Sequence, residues 1–178
     1  MKETIVLGGG CFWCIEAALQ IVPGVLSTSP GYSDGETENP NYKDICTGTT
    51  GHAEVVQIEF ESDELSLERL LELFFKAHVP TELNKQGNDV GTQYRSTILW
   101  SDPQHEAVIK SAIAKEQETL ADPIVTQVKQ LEKFHTAEEY HYDYFKKNPD
   151  QAYCQYIVRK KVEKVKGALE LTANTHEA

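Results

Sequence analysis

Apolar and polar positions along the chain recur with two periods, and the changes between them predict the elements. Ile5-Val6-Leu7, within residues 4–9, reads as a short buried strand. A helix over 12–21 follows, carrying Phe12, Ile15, Ala18, Leu19 and Val22 near a 3.6-residue period, and Pro23-Gly24 ends it. A strong strand is expected at 53–60 and a helix at 66–78, with Leu67, Leu70, Leu71, Phe74 and Phe75 on one side. A strand at 95–100 leads into a helix at 103–120, capped by Ser101 or Asp102 with Pro103 at its first position. Ile124 to Val128 reads as another strand, and residues 136–147 as a helix dense in Tyr and His. From 155 on, Val158, Val162, Val165 and Leu169 make a narrow apolar stripe on a basic helix. Two polar stretches, 25–50 and 80–94, break the pattern and read as functional loops, the first with Pro30-Gly31 and Asn39-Pro40 as turn signals.

Strands alternating with helices on one side predict an α+β fold. The expected form is a two-layer sandwich, a mixed sheet covered by helices, with a ferredoxin-like core and long irregular loops. Strand order is not encoded in one sequence. A chain of 178 residues predicts one catalytic domain over 1–178, its core at about 4–156 and a basic helix and tail at about 157–178.

Charge and cysteines narrow the function. Seventeen Lys and Arg against 28 Asp and Glu leave a net charge of -11, which argues against a nucleic-acid partner. No segment approaches the ~20 apolar residues of a membrane helix. Met1-Lys2-Glu3-Thr4 enters a strand at once, leaving no room for a signal peptide, so cytoplasmic residence and a monomer are the simplest expectations. In a reducing compartment Cys11, Cys14, Cys46 and Cys154 predict catalysis, metal binding or inert burial rather than a disulfide framework.

The chemistry centres on Gly8-Gly9-Gly10-Cys11-Phe12-Trp13-Cys14-Ile15-Glu16. A thiol where a strand becomes a helix meets unpaired backbone N–H groups and the positive end of the macrodipole, which favour a thiolate at Cys11. Phe12 and Trp13 supply an apolar wall. Cys11-x-x-Cys14 also reads as a thioredoxin-like redox pair or half of a zinc site, but no second C-x-x-C and no close His pair completes a tetrahedron. Cys14 alone reads first as a small buried apolar residue, and inert burial is the expectation for Cys46. In the strand after His52, Glu54 shares a face with Val56, Ile58 and Phe60. A carboxyl there has its charged form disfavoured and suits a proton donor, unless it reaches solvent from the strand's start. Tyr32, Tyr42 and Tyr94 lie in or beside the two loops, as hydrogen-bond donors or as packing. Asp89 could bind a substrate backbone or cap a turn. His105, His135 and His141 read as surface groups, and Arg159-Lys160-Lys161 with Lys164 and Lys166 as a solvated helix face.

Together these residues resemble a family. Gly10-Cys11-Phe12-Trp13, Pro23-Gly24-Val25, Gly31-Tyr32, Asn39-Pro40-x-Tyr42, Gly51-His52-Ala53-Glu54-Val55 and Gln86-Gly87-Asn88-Asp89-x-Gly91-Thr92-Gln93-Tyr94-Arg95-Ser96 follow one another as in peptide methionine sulfoxide reductase A. The ending resembles it too, with His141 before Lys147-Asn148-Pro149 and Tyr153-Cys154. The resemblance implies reduction of the S epimer of methionine sulfoxide, in oxidised proteins or as the free amino acid, with no cofactor or metal. It implies Cys11 as nucleophile, Glu54 as protonated acid, and Tyr42 and Tyr94 as donors to the sulfoxide oxygen. Phe12 and Trp13 would hold the methyl group, and Asp89 would steady the substrate main chain. Cys154 would resolve the sulfenic acid as a Cys11–Cys154 disulfide, recycled by thioredoxin.

Three positions depart from the family pattern. Family members often have Gly where Cys14 stands and Asp where Val79 stands in His78-Val79-Pro80, and no cysteine follows Cys154 here. The competing expectation is a thiol–disulfide oxidoreductase using Cys11 and Cys14, which leaves Glu54, the tyrosines and Cys154 unexplained. A binding module with inert cysteines would leave all of them to packing.

Overall fold

The structure, a computed structural model, describes the backbone of residues 1–177 and the side chains through Leu171. In chain order it forms β1 (Lys2–Gly8), α1 (Phe12–Gln20), β2 (Val25–Ser33), α2 (Tyr42–Cys46), β3 (Ala53–Glu61), α3 (Leu67–Ala77), β4 (Lys85–Gln86), β5 (Asp89–Val90), β6 (Thr97–Trp100), α4 (Pro103–Gln117), β7 (Gln127–Gln130), β8 (Phe134–Thr136), α5 (Tyr144–Lys147) and α6 (Arg159–Glu177). One mixed sheet has the order β7-β6-β1-β3-β2-β8, parallel only between β6 and β7. Its four central strands with α1 and α3 make a βαββαβ unit, the ferredoxin-like core expected.

Strand alternation decides the two faces of the sheet. Ile5 and Leu7 on β1, and Val56, Ile58 and Phe60 on β3, bury against Phe12, Ile15 and Leu19 of α1 and Leu70, Leu71 and Phe74 of α3. Val6, Val55 and Leu99 face the other way, into a small cluster closed by Leu131 and Phe134. Local chemistry starts the helices where the sequence predicts. Ser66 accepts from Arg69 N–H at 3.1 Å, and Asp102 accepts from Gln104 N–H at 2.9 Å beside Pro103. Val158 and Val165 of the C-terminal segment are buried, seating α6 beside α1 and α3. No described helix is long and apolar enough to cross a membrane.

Three stretches differ from the sequence pattern. Residues 25–33 are a strand inside the expected loop. Pro30 sits within it because its carbonyl accepts from Ala137 N–H on the β8 side. Its missing N–H faces that same side, so the ladder to β3 is unbroken. Residues 136–147 are not one helix. Asp143, at φ 55°, interrupts them between a 3₁₀ turn at Glu139–His141 and α5. The loop at 80–94 contains the hairpin β4–β5, turned by Gly87-Asn88. Of the expected tail, Ala178 and the side chains from Thr172 on lie outside the described residues.

Candidate active site

Cys11 occupies the N-cap of α1, where β1 runs out. Two glycines make the approach possible. Gly10 has φ 89°, and a Cβ on it would meet Gln86 at 2.9 Å; a Cβ on Gly9 would meet the His78 ring at 2.7 Å. Gly10 N–H donates to Tyr94 carbonyl at 3.1 Å, tying the cysteine turn to the second loop. His78 braces the turn from below, its ring nitrogens 2.8 Å from Phe74 carbonyl and 2.7 Å from Ser96 Oγ. Burial holds that imidazole neutral, at about 4.

Glu54 is 1 % exposed, on the same sheet face as Val56, Ile58 and Phe60. Phe12 N–H, in the first turn of α1, donates to Glu54 Oε1 at 3.1 Å. That bond favours the carboxylate, but desolvation outweighs it and pushes the pKa up to about 8. Near neutrality Glu54 is therefore a carboxylic acid, with the N–H accepted by one oxygen and the proton carried by the other. The same arrangement corrects the expectation of a thiolate at Cys11. The amide of Phe12 serves Glu54. Burial, then the Cys14 thiol and Glu54, raise the pKa of Cys11. A helix terminus contributes ~1 kcal/mol, less than the several kcal/mol that desolvating a charge costs.

Aromatic rings enclose this pair. Phe12 lies 5.6 Å from Tyr32, 6.3 Å from Tyr42 and 4.8 Å from His141, ring centre to ring centre. Trp13 stacks on Tyr144 at 3.7 Å, and its Nε1–H donates to His141 Nδ1 at 2.9 Å. Burial, then the nearby Glu54 carboxyl, raise the pKa of both Tyr42 and Tyr94, so both phenols keep their protons and remain donors. Tyr32 differs. Its hydroxyl donates to Glu138 Oε1 at 2.9 Å, which spends it on the fold.

Cys14 extends the site to the other side of Cys11. Its thiol interacts with that of Cys11 and lies 3.8 Å from Tyr153 Oη, so it is a buried polar partner and not an inert filler. The neighbouring Cys11 thiol, before any other group, lowers its pKa. Tyr153 Oη donates to Asp89 Oδ2 at 2.6 Å, bringing the hairpin loop to the thiols. Cys154 is fully buried, and its thiol is pushed up by burial and then by Cys14.

Three expectations change here. Cys46 is exposed at the end of α2. His141 is buried as the acceptor for Trp13, and His105 is buried with Nε2 2.7 Å from Glu3 Oε1. His52 is an internal brace, accepting from Gly35 N–H at 2.9 Å with its other ring nitrogen 2.7 Å from Thr37 carbonyl. Among the described residues the group spaced for a metal is Glu3, Asp102 and His105, at the opposite end of β1 from Cys11.

Sequence reasoning missed Glu16, His141, Tyr144 and Tyr153 as site residues. Glu16 is buried on α1, where it accepts from Asp143 N–H at 2.8 Å and from Thr28 Oγ1 at 3.0 Å. It thereby pins the turn that sets His141 and Tyr144 against Trp13. A glutamate one turn after Trp13 on an otherwise apolar helix was the available signal.

A family model described as peptide methionine sulfoxide reductase matches residues 3–172. The chain belongs to that family. It is 51 % identical over 162 residues to the peptide methionine sulfoxide reductase MsrA of Leptospira borgpetersenii, covering 91 % of this chain and 92 % of the relative. Among solved structures it resembles reduced Mxr1 from Saccharomyces cerevisiae, with a TM-score of 0.81, 32 % identity, and 86 % and 89 % of the two chains covered. Mxr1 in complex with Trx2 matches with a TM-score of 0.59 at 21 % identity, over 79 % of this chain and 84 % of that one, a likeness of fold. The reductase family and the protonated Glu54 beside a cysteine agree in chemistry.

Proposed function

We propose that the chain reduces the S epimer of methionine sulfoxide, peptidyl or free, to methionine, with Cys11 as nucleophile and Glu54 as acid. The observation that carries this reading is the buried Glu54 carboxyl, protonated near neutrality and bonded to the first amide of the helix that bears Cys11. Sulfoxide oxygen leaves sulfur only when protonated. Glu54 gives its proton to that oxygen while Tyr42 and Tyr94 donate hydrogen bonds to it. Cys11 sulfur bonds to the substrate sulfur as its thiol proton returns to the carboxylate; hydroxyl then passes to Cys11 while both the S–O bond and the transient S–S bond break, the S–S electron pair staying on the methionine sulfur. Methionine leaves and Cys11 is a sulfenic acid. Phe12 and Trp13 form the wall for the substrate methyl, and Asp89 faces its main chain.

Cys154 then attacks the sulfenic sulfur, forming a Cys11–Cys154 disulfide and releasing water. Thioredoxin reduces that disulfide, a partner suggested by the fold shared with Mxr1 bound to Trx2. A second reading is supported by the burial of Cys11 and Cys14 against one shared cavity, and has Cys14 form the first disulfide. The chain works as one cytoplasmic domain and a monomer, and its net charge of -11 supports a role without nucleic acid. Cys11→Ser tests the proposal. It should abolish methionine formation, while Cys14→Ser keeps the first turnover. Methionine from Cys11→Ser, or none from Cys14→Ser, would overturn the assignment of the nucleophile.

A further inference from the structure

Beside the thiols, and lined by neither Phe12 nor Tyr42, a cavity of about 420 Å³ opens between the Gly9-Gly10-Cys11 turn and the start of the C-terminal helix. The hairpin loop Gly87-Asn88-Asp89 forms one wall. The facing wall is a single helical stripe, Tyr153, Ile157, Lys160, Lys161 and Lys164, repeating every three to four residues. The opposite face of the same segment, Val158 and Val165, is buried in the core, so packing holds the lysine stripe towards the cavity.

Charge makes this wall unusual. The chain carries a net charge of -11, yet three ammonium groups line one cavity. None of the three forms an ion pair among the described residues, and Lys161 is half-buried. Asp89, the acid lining the cavity, accepts from Tyr153 Oη, and Glu82 accepts from Gly87 N–H at 3.1 Å. The cavity therefore carries three ammonium groups against one lining carboxylate, Asp89, with no ion pair between them among the described residues. It touches both Cys11 and Asp89, so a peptide held through its main chain at Asp89, with its sulfoxide at Cys11, must run past it.

We propose that this cavity is a subsite for an acidic side chain, Asp or Glu, close in sequence to the oxidised methionine. The inference rests on sulfoxide reduction at Cys11. It assigns to Lys160, Lys161 and Lys164 a preference that the enzyme's overall negative charge would otherwise oppose. A carboxylate seated there pairs with one or two ammonium groups while Gly87 and Asn88 leave room for the backbone.

The test is a set of short peptides containing one methionine sulfoxide, with Asp, Asn or Lys placed in turn at the two positions on either side. For the favoured position, kcat/KM for Asp should exceed that for Asn by about 3- to 10-fold, as expected of one or two partly exposed ion pairs. Lys should fall below Asn. The ratio should collapse towards one in ~0.5 M salt and in Lys160→Gln/Lys164→Gln, a variant of two exposed residues that leaves the Asn peptide as internal reference. Equal rates for Asp and Asn at all positions, or a ratio the variant leaves intact, would overturn the subsite while leaving the reductase activity in place. An advantage confined to a free C-terminal carboxylate on the oxidised residue would also overturn it. Failure to reduce any of the peptides would remove the proposed reaction itself, and the subsite with it.

Discussion

Replacing Glu54 by glutamine removes one titrating proton from the apolar face of the sheet and should change stability as well as rate. The carboxyl has an ordinary value of 4.5, raised to about 8 in the native protein by desolvation. The native state then binds the proton more tightly than the unfolded chain. The stability this contributes is complete below pH 4.5 and is lost as pH rises to about 8. Between pH 5 and 7 native Glu54 stays protonated while the unfolded group gives up its proton, at a cost of ~1.4 kcal/mol per pH unit. The loss over that interval is roughly 2–3 kcal/mol. Glutamine keeps an oxygen for Phe12 N–H and has no proton to lose. Urea unfolding of both proteins at pH 5, 6, 7 and 8 isolates the effect, because Glu16, His78 and His141 titrate alike in each and cancel in the difference. With a slope of ~2 kcal/mol/M, the wild-type midpoint should fall by about 1 M more than that of Glu54→Gln from pH 5 to 7. Methionine formation in the variant should be ~10²–10⁴-fold slower, the usual worth of a positioned acid. Parallel pH dependences would mean that Glu54 is ionised in the native protein, and the acid role would be lost with that result.

Other consequences follow from single contacts. Cys154→Ser should release one equivalent of methionine in a burst and then stop under thioredoxin-driven cycling, read as burst amplitude against steady-state rate; sustained cycling would shift resolution to Cys14 or Cys46. Tyr42→Phe and Tyr94→Phe should each lower kcat/KM by about 10- to 100-fold with little change in folding, since each removes one donor to the developing hydroxyl. Rates unchanged in both would exclude the phenols from the reaction. Glu16→Ala leaves Asp143 N–H and Thr28 Oγ1 without their acceptor and should cost about 1–3 kcal/mol in urea unfolding. It should also shift the fluorescence of Trp13, whose stacking on Tyr144 depends on that turn, and an unshifted spectrum would separate Glu16 from the site.

Features governed by local chemistry were legible in the chain. The glycines before Cys11 mark the close approach to His78 and Gln86, and the period-two pattern puts Glu54 on the core face, where the structure has it. Asp102, one of the two caps the sequence offers, caps the helix it precedes. Features decided by tertiary contact were not. Pro30-Gly31 has the composition of a turn, and only its pairing with β3 on one side and Ala137 on the other makes it a strand. His141 and Tyr144 sit in a polar segment that reads as an exposed helix until Glu16 binds Asp143 and draws the rings to Trp13. The state of the Cys11 thiol is the sharpest case. A helix terminus is visible in sequence, but the burial that outweighs it, and the diversion of its amide to Glu54, arise from two strands meeting.

A single-turnover experiment addresses the central claim directly. Fully reduced protein without external reductant is mixed with each epimer of N-acetyl methionine sulfoxide, and the product disulfide is mapped by mass. The account predicts one equivalent of methionine from the S epimer, none from the R epimer, and a bond joining Cys11 to Cys154. Methionine from neither epimer, or an oxidised product in which Cys11 remains a free thiol, would contradict it.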